Sequence, residues 1–239
     1  MKKLNKKTIS RQVPLYSDPE LPPAKDDFRK TFEWRVFKIM SEFIEGFHFL
    51  ADIKKTVTVF GSTSLPETNK HYQEARKFGF LIAKKGYSVV TGGGPGIMEA
   101  ANRGCYEAGK DSIGMNIELS EGQRMNKYVN KPIGFNYFFT RKVMLSFSSE
   151  AFVFFPGGFG TLDEFFEMVT LVQTKKLGRK VPIIVVGLDY WGPLLKWIKD
   201  DVYGKYGAIK KTDFDIINTV ANVEKAVELV LKLNTKKFK

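Results

Sequence analysis

Two glycine loops constrain the fold of this chain more than any other feature. Each follows an apolar run typical of a buried strand and precedes a helical pattern: residues 87–90 lead into 91–99, and residues 151–155 lead into 156–164. Glycines let the backbone bend sharply and approach a ligand, while the free N–H groups and the dipole of the following helix favour an anion. We therefore interpret both loops as parts of one pocket that binds a phosphate.

The remaining apolar segments alternate with helical patterns along the chain. We predict strands at residues 56–60, 87–90, 111–117, 151–155 and 181–186. We predict helices at 69–84, 96–108, 140–147, 190 onward and 220–233, and a further helix that starts within 156–164 and continues to about 176. This order predicts an α/β fold, a Rossmann-like doubly wound parallel sheet whose ligand crevice lies beyond the carboxyl ends of the strands. Residues 118–138 give mixed turn and strand signals.

The N-terminal part is predicted to be an extension of that domain. Residues 1–25 hold lysines and prolines without apolar periodicity and are interpreted as an arm, residues 26–50 as an amphipathic helix, and residues 51–235 as the nucleotide-binding domain. The apolar stripe of the helix consists of Phe32, Val36, Ile39, Met40, Phe43, Phe47 and Leu50. Such a wide stripe predicts that part of it forms a two-fold interface in a homodimer or higher homo-oligomer, although packing on its own domain remains open.

The basic composition does not indicate a specific nucleic-acid partner. The formal net charge is +12, but nine of these charges lie in residues 1–11 and 232–239, and the body between is nearly balanced. Because no nucleic-acid recognition motif accompanies the charge, we interpret these two terminal basic segments as solvated tails.

Several other classes of protein are disfavoured by what the sequence lacks. The longest apolar runs are far shorter than the roughly 20 residues of a membrane helix, and the N-terminus has no signal-peptide core, so we expect a cytoplasmic protein without a membrane partner. The single cysteine, Cys105, excludes an internal disulfide and any multi-cysteine metal site. We expect no metal and no other cofactor.

The spacing of the glycines narrows the phosphate chemistry. A dinucleotide fingerprint needs a third glycine where Ile97 and Asp163 stand, and a P-loop needs a Gly-Lys-Ser or Gly-Lys-Thr ending, which neither loop has. A small monophosphate is therefore favoured over a dinucleotide or a nucleoside triphosphate.

Three motifs together resemble the LOG family, the cytokinin-activating phosphoribohydrolases once labelled lysine decarboxylases. They are residues 92–102, Arg141-Lys142 and residues 156–164, and the resemblance covers roughly residues 51–235. It implies a dimeric or larger Rossmann-like enzyme of the longer, bacterial type. Such an enzyme hydrolyses the N-glycosidic bond of a purine riboside 5′-monophosphate, releasing the free base and ribose 5-phosphate.

The resemblance also assigns roles to individual residues. Arg141 and Glu164 match the family's catalytic arginine and glutamate, which implies that Glu164 stabilises the ribose cation. The residues matched to substrate and phosphate binding are Ser62, Gly93, Gly94, Gly96, Glu99, Lys142, Gly157, Gly158, Gly160 and Thr161. The chain departs from the longer relatives at Thr63, where arginine is frequent, and at Ser120, where proline is usual.

Plainer interpretations of the same residues remain open from the sequence alone. Thr161 and Glu164 have the spacing of a capping box, Glu99 could serve its helix only through the dipole, and Arg141-Lys142 could be an exposed pair. The loops would also serve a carrier that binds a nucleotide or phosphorylated cofactor without turnover. A Schiff-base role for Lys142 in a decarboxylase is disfavoured, because its neighbour is a permanent cation.

Overall fold

The structure is a computed structural model that describes residues 28–118, 125–177 and 181–235. Within these ranges a seven-stranded sheet has the order β4-β3-β2-β1-β5-β6-β7, and every neighbouring pair is parallel. The strands are β1 (Thr56–Phe60), β2 (Ser88–Thr91), β3 (Ser112–Ile117), β4 (Lys131–Phe135), β5 (Phe152–Phe154), β6 (Ile183–Val186) and β7 (Ile217–Val220). The predicted α/β fold with a doubly wound parallel sheet is confirmed.

Helices cover both faces of the sheet. They are α1 (Phe32–Ala51), α2 (Lys70–Lys84), α3 (Ile97–Glu107), α4 (Phe138–Ser148), α5 (Phe159–Gln173), α6 (Leu188–Trp197), α7 (Lys211–Phe214) and α8 (Val223–Thr235), with a 3₁₀ turn at Phe28–Lys30 and a π-helical stretch at Ile198–Lys205. Alternate residues of a strand point to opposite faces. Accordingly Val57 and Val59 join the apolar cluster beneath α2, α3 and α8, whereas Phe60 joins the cluster on the opposite face beneath α4, α5 and α6.

The strand order has one reversal, at β1. The chain moves outward from β1 through β2 and β3 to β4, and α4 then returns it to β5, which pairs with β1 on the other side. A crevice opens beyond the carboxyl ends of the strands where the order reverses, and ligands bind there in folds of this kind. The turns after β1, β2 and β5 therefore surround the expected site.

Four sequence predictions need correction. The predicted last helix begins at Val223 rather than at residue 220, because Val220 ends the edge strand β7. The mixed segment contains the other edge strand, β4, whose residues alternate between half-buried and exposed. In the N-terminal helix, Thr31 caps the first turn by accepting a hydrogen bond from the Trp34 N–H, so α1 starts at Phe32. The fifth helix starts at Phe159, within the predicted segment but two residues before Thr161, which the capping-box interpretation took as the cap.

Some sequence predictions fall outside the described residues. These are the arm of residues 1–25, the basic segment 236–239 and the departure at Ser120. Of the helices that the structure does describe, none combines the length and the apolar character needed to cross a bilayer.

Candidate active site

The turn after β1 joins the two glycine loops through its backbone. The Ser62 N–H donates to the Pro156 carbonyl at 2.9 Å, and the Ser62 carbonyl accepts from the Ile97 N–H at 2.9 Å. One peptide segment thus holds the loop after β2 and the loop after β5 at the switch point of the sheet. The structure thus brings the two predicted glycine loops together at one edge of the sheet.

The first glycine loop (residues 92–96) is packed tightly against its neighbours. Gly96 has a φ of +68° and caps α3 without a side chain, and a Cβ added to it would lie 2.3 Å from the Ser62 carbonyl oxygen. Gly93 has a φ of +74°, which also favours glycine. The Asn126 side chain donates to the Gly93 carbonyl at 3.1 Å and to the Gly94 carbonyl at 3.0 Å.

Asn126 was missed by the sequence analysis. It is buried, and its side chain also donates to Asn102, whose own amide binds Ser112 on β3. This network of hydrogen bonds fixes the positions of the Gly93 and Gly94 carbonyls. Its only signal in the sequence is an asparagine in residues 118–138, the segment with mixed turn and strand signals.

The second glycine loop (residues 156–160) is open at its tip. A Cβ on Gly157 would lie 2.1 Å from Thr161 Oγ1, whereas a Cβ on Gly158 or Gly160 would meet no protein atom within 4 Å. Gly158 caps α5 and, as a glycine, makes no side-chain cap hydrogen bond to the first turn of that helix. The first N–H groups of α5 are therefore available to an anion.

The capping-box interpretation of Thr161 and Glu164 is wrong. The glycine turn itself starts the helix, so Thr161 is the third helical residue and Glu164 the sixth. A residue in the second turn cannot cap the first. The Glu164 side chain is instead directed to α4, where its Oε1 accepts from Arg141 Nη2 at 3.1 Å.

The Arg141–Glu164 ion pair is buried beside the first loop, and its glutamate lies on the helix that follows the second loop. Its side chains are only 11% and 15% exposed, and Arg141 Nη1 lies 3.5 Å from where a Cβ of Gly92 would stand. Burial raises the pKa of the Glu164 carboxyl to about 7, although the charges of Arg141 and Lys142 oppose this shift. Among the described residues, Arg141 Nε is one of the buried polar atoms with no hydrogen-bond partner.

The structure places the other predicted cationic residue, Lys142, against α5. Its ammonium pairs with Asp163 at 2.6 Å and with Glu167 at 3.2 Å. Burial lowers the pKa of Lys142, but these two carboxylates outweigh it and the net shift is upward. Lys142 is therefore held by protein partners next to the ion pair.

Glu99 lies in the first turn of α3 beside the first loop. Its carboxylate accepts a hydrogen bond from the Tyr72 hydroxyl at 3.4 Å, a long bond that leaves room for another donor. No cluster of three His, Cys, Asp or Glu side chains within the described ranges is arranged to hold a metal ion.

Structural comparison confirms the fold. The chain resembles the Moco carrier protein from Chlamydomonas reinhardtii with a TM-score of 0.55 and 23% identity, over 77% of this chain and 99% of that one. At this identity the likeness concerns the fold alone.

Sequence comparison adds the family. The chain is 29% identical to the cytokinin riboside 5′-monophosphate phosphoribohydrolase LOG of Oryza sativa subsp. japonica over 68% of its length, and the match spans just under two thirds (66%) of that relative. It is 28% identical to LOG3 of Arabidopsis thaliana, over 75% of this chain and 81% of that one. The family model described as "Possible lysine decarboxylase" matches residues 98–230, more than half of the chain. The chain therefore belongs to this family, the LOG family.

Proposed function

We propose that this protein hydrolyses the N-glycosidic bond of a purine riboside 5′-monophosphate and releases the free base and ribose 5-phosphate. The observation that carries the proposal is the buried Arg141–Glu164 pair beside two glycine-capped helices. Binding a phosphate requires only the loops. A buried carboxylate with a pKa near neutrality, next to a buried cation, is typical of a site that also performs chemistry.

The phosphate is assigned to the second glycine loop. The start of α5 offers backbone N–H groups without a side-chain cap, and the open space at Gly158 and Gly160 admits an anion. Gly157, Thr161 and Ser62 form the back of this cradle through their close packing. The first loop, with Gly93, Gly94 and Gly96, is assigned to the ribose side.

The reaction follows from the charges of the ion pair. As the C–N bond breaks, its electron pair leaves with the base, which takes up a proton, while positive charge develops on the ribose. The Glu164 carboxylate stabilises this charge and orients the attacking water. The hydroxyl of this water is added to the sugar, and the proton that the water loses balances the proton taken up by the base. The Arg141 guanidinium, whose buried Nε has no hydrogen-bond partner among the described residues, supplies the positive charge that binds the phosphate or helps the base to leave.

The test is to incubate the protein with AMP and to assay adenine and ribose 5-phosphate. We expect the two products in equal amounts, and N6-substituted AMP and GMP as comparators would define the base. No base release from any purine monophosphate, together with nucleotide binding, would instead support a carrier. That second candidate is favoured only by the open phosphate cradle, which would hold a phosphorylated cofactor equally well.

The decarboxylase named in the family's description is not part of this proposal. A lysine that forms a Schiff base must lose its proton. Lys142 is held by Asp163 and Glu167, which raise its pKa. A pyridoxal-dependent activity would need a neutral amine where the charges favour a cation.

A homodimer through α1 completes the proposal. Most of the predicted apolar stripe is exposed in the single chain, including Phe32 at 76%, Met40 at 50% and Phe47 at 42%. Contiguous apolar surface of this kind marks an interface. Light scattering at micromolar concentration should give at least twice the chain mass of 27.2 kDa, and a mass near that of one chain would contradict the interface.

A further inference from the structure

Glu42 is a buried acid on α1 that the proposed mechanism does not use. Its residue surface is only 7% exposed, on the same helix face as Gly46 and Leu50. A Cβ on Gly46 would lie 2.5 Å from Met144 Sδ, so α1 and α4 are in close contact here. A carboxylate is retained in such a place only when donors satisfy it.

The donors to Glu42 all come from the start of α4. Its Oε1 accepts from the Asn136 backbone N–H at 2.7 Å and from Asn136 Nδ2 at 3.0 Å. Its Oε2 accepts from the Tyr137 N–H at 3.4 Å and from the Thr140 hydroxyl. Tyr137 is the N-cap of α4 and provides no capping side chain. Glu42 therefore holds the first turn of α4 from another helix, where a negative charge is also favoured by the dipole.

The residue that follows Thr140 is Arg141, whose N–H donates to the Tyr137 carbonyl at 3.2 Å. The backbone that Glu42 holds is thus the backbone from which the Arg141 side chain extends to Glu164. We propose that Glu42 is a positioning residue of the site, which sets the place of the Arg141 guanidinium beside the first loop without touching the substrate. This inference rests on the proposed function.

A double-mutant cycle separates positioning from general stability. Glu42→Gln keeps the shape but loses acceptor capacity, and we expect kcat/KM for AMP to fall roughly tenfold, because small misplacements of catalytic groups have effects of up to about 100-fold. In an Arg141→Ala background the same change should have less than about a twofold effect, since residues that act through each other are not additive. Glu45→Gln, at an exposed acid of the same helix, is the matched control and should leave kcat/KM unchanged.

A second measurement does not depend on turnover. It is the dissociation constant of AMP, determined by calorimetry for the wild type, Glu42→Gln, Arg141→Ala and the double variant. If the wild-type protein binds AMP without releasing base, the proposed function fails, and the cycle in dissociation constants still decides the role of Glu42. The positioning role would be overturned if Glu42→Gln reduced kcat/KM, or affinity for AMP, equally in the wild-type and Arg141→Ala backgrounds. It would also be overturned if folded Glu42→Gln showed no reduction. Should Glu42→Gln not fold, Thr140→Val removes one donor to the same carboxylate and should show a smaller, equally non-additive loss.

Discussion

The two glycine loops are alike in sequence but differ in what their glycines contact. In the first loop, Gly96 has a positive φ and faces the Ser62 carbonyl so closely that a Cβ would lie 2.3 Å from its oxygen. In the second loop, Gly158 and Gly160 face no protein atom within 4 Å. Gly157 of the second loop is as tightly packed, since a Cβ there would lie 2.1 Å from Thr161 Oγ1. The protein's own packing thus calls for glycine at Gly96 and Gly157, whereas Gly158 and Gly160 border open space. Similar motifs in one chain can have different physical causes.

The largest effect that this comparison predicts is on folding. Gly96→Val should lower the free energy of unfolding by roughly 3 kcal/mol or more, because the side chain meets backbone and the φ is unfavourable. Thermal denaturation would measure the loss, with Gly158→Val as the matched control. If the melting temperature of Gly96→Val were close to that of the wild type, the conclusion that the first loop is tightly packed would be contradicted.

The next effect concerns the helix that follows the second loop. Glu164→Gln keeps the shape of the side chain but removes its charge, so turnover of AMP should fall roughly 100-fold while nucleotide binding persists. Arg141→Ala should give a comparable loss. Glu228→Gln, at an exposed acid of α8, serves as the charge control. Full turnover in Glu164→Gln would exclude the charge mechanism.

Gly158→Val tests the open side of the comparison. The side chain would occupy the space left for the anion, so the dissociation constant of AMP should rise at least tenfold, about 1.4 kcal/mol. The free energy of unfolding should fall by only about 1 kcal/mol, the loss expected for a poorer N-cap residue, since the new Cβ meets no protein atom within 4 Å and the extended backbone of Gly158 is open to valine. Unchanged affinity in the folded variant would show that the phosphate lies elsewhere.

The last prediction concerns the pH dependence of activity and stability, which we attribute to Glu164 on α5. With the Glu164 pKa near 7, the charged form is lost below neutrality, so kcat/KM should be about tenfold lower at pH 6 than at its plateau. The sign for folding is opposite. The native state keeps a proton that the unfolded chain releases above its ordinary pKa, so this contribution to stability is present below that pKa and is lost as pH rises through about 7. Both inflections should be absent in Glu164→Gln, and a flat wild-type profile between pH 6 and 8 would contradict the assignment.

The sequence was sufficient where burial is uniform. Central strands such as β1 and β6 are continuous apolar runs, so their positions and the loops at their ends could be predicted. The edge strands β4 and β7 were missed because one side of each is open, and residues such as Pro132 and Asn218 interrupt the apolar pattern. Neither edge strand therefore contains a continuous apolar run from which it could be predicted.

The contacts within the site were harder to predict. The pairing of Arg141 with Glu164 spans a strand and two helices, so no spacing rule predicts it, and only the family resemblance put both in one site. Glu42 did leave a signal, since it precedes Gly46 and Leu50 by four and eight residues. An acid on the buried face of an amphipathic helix calls for donors that only the tertiary structure reveals.

Ser62 makes its contribution to the site through the backbone, because its N–H and carbonyl bind the two loops while its hydroxyl accepts from the Ser64 N–H. The placement of the two loops that start α3 and α5 therefore does not depend on which side chains stand at 62 and 63. Point substitutions at these two positions can therefore change the side chains beside the loops while the backbone links between the loops are kept. Under the proposed function, side chains that select the base could thus vary without moving the backbone that holds the phosphate.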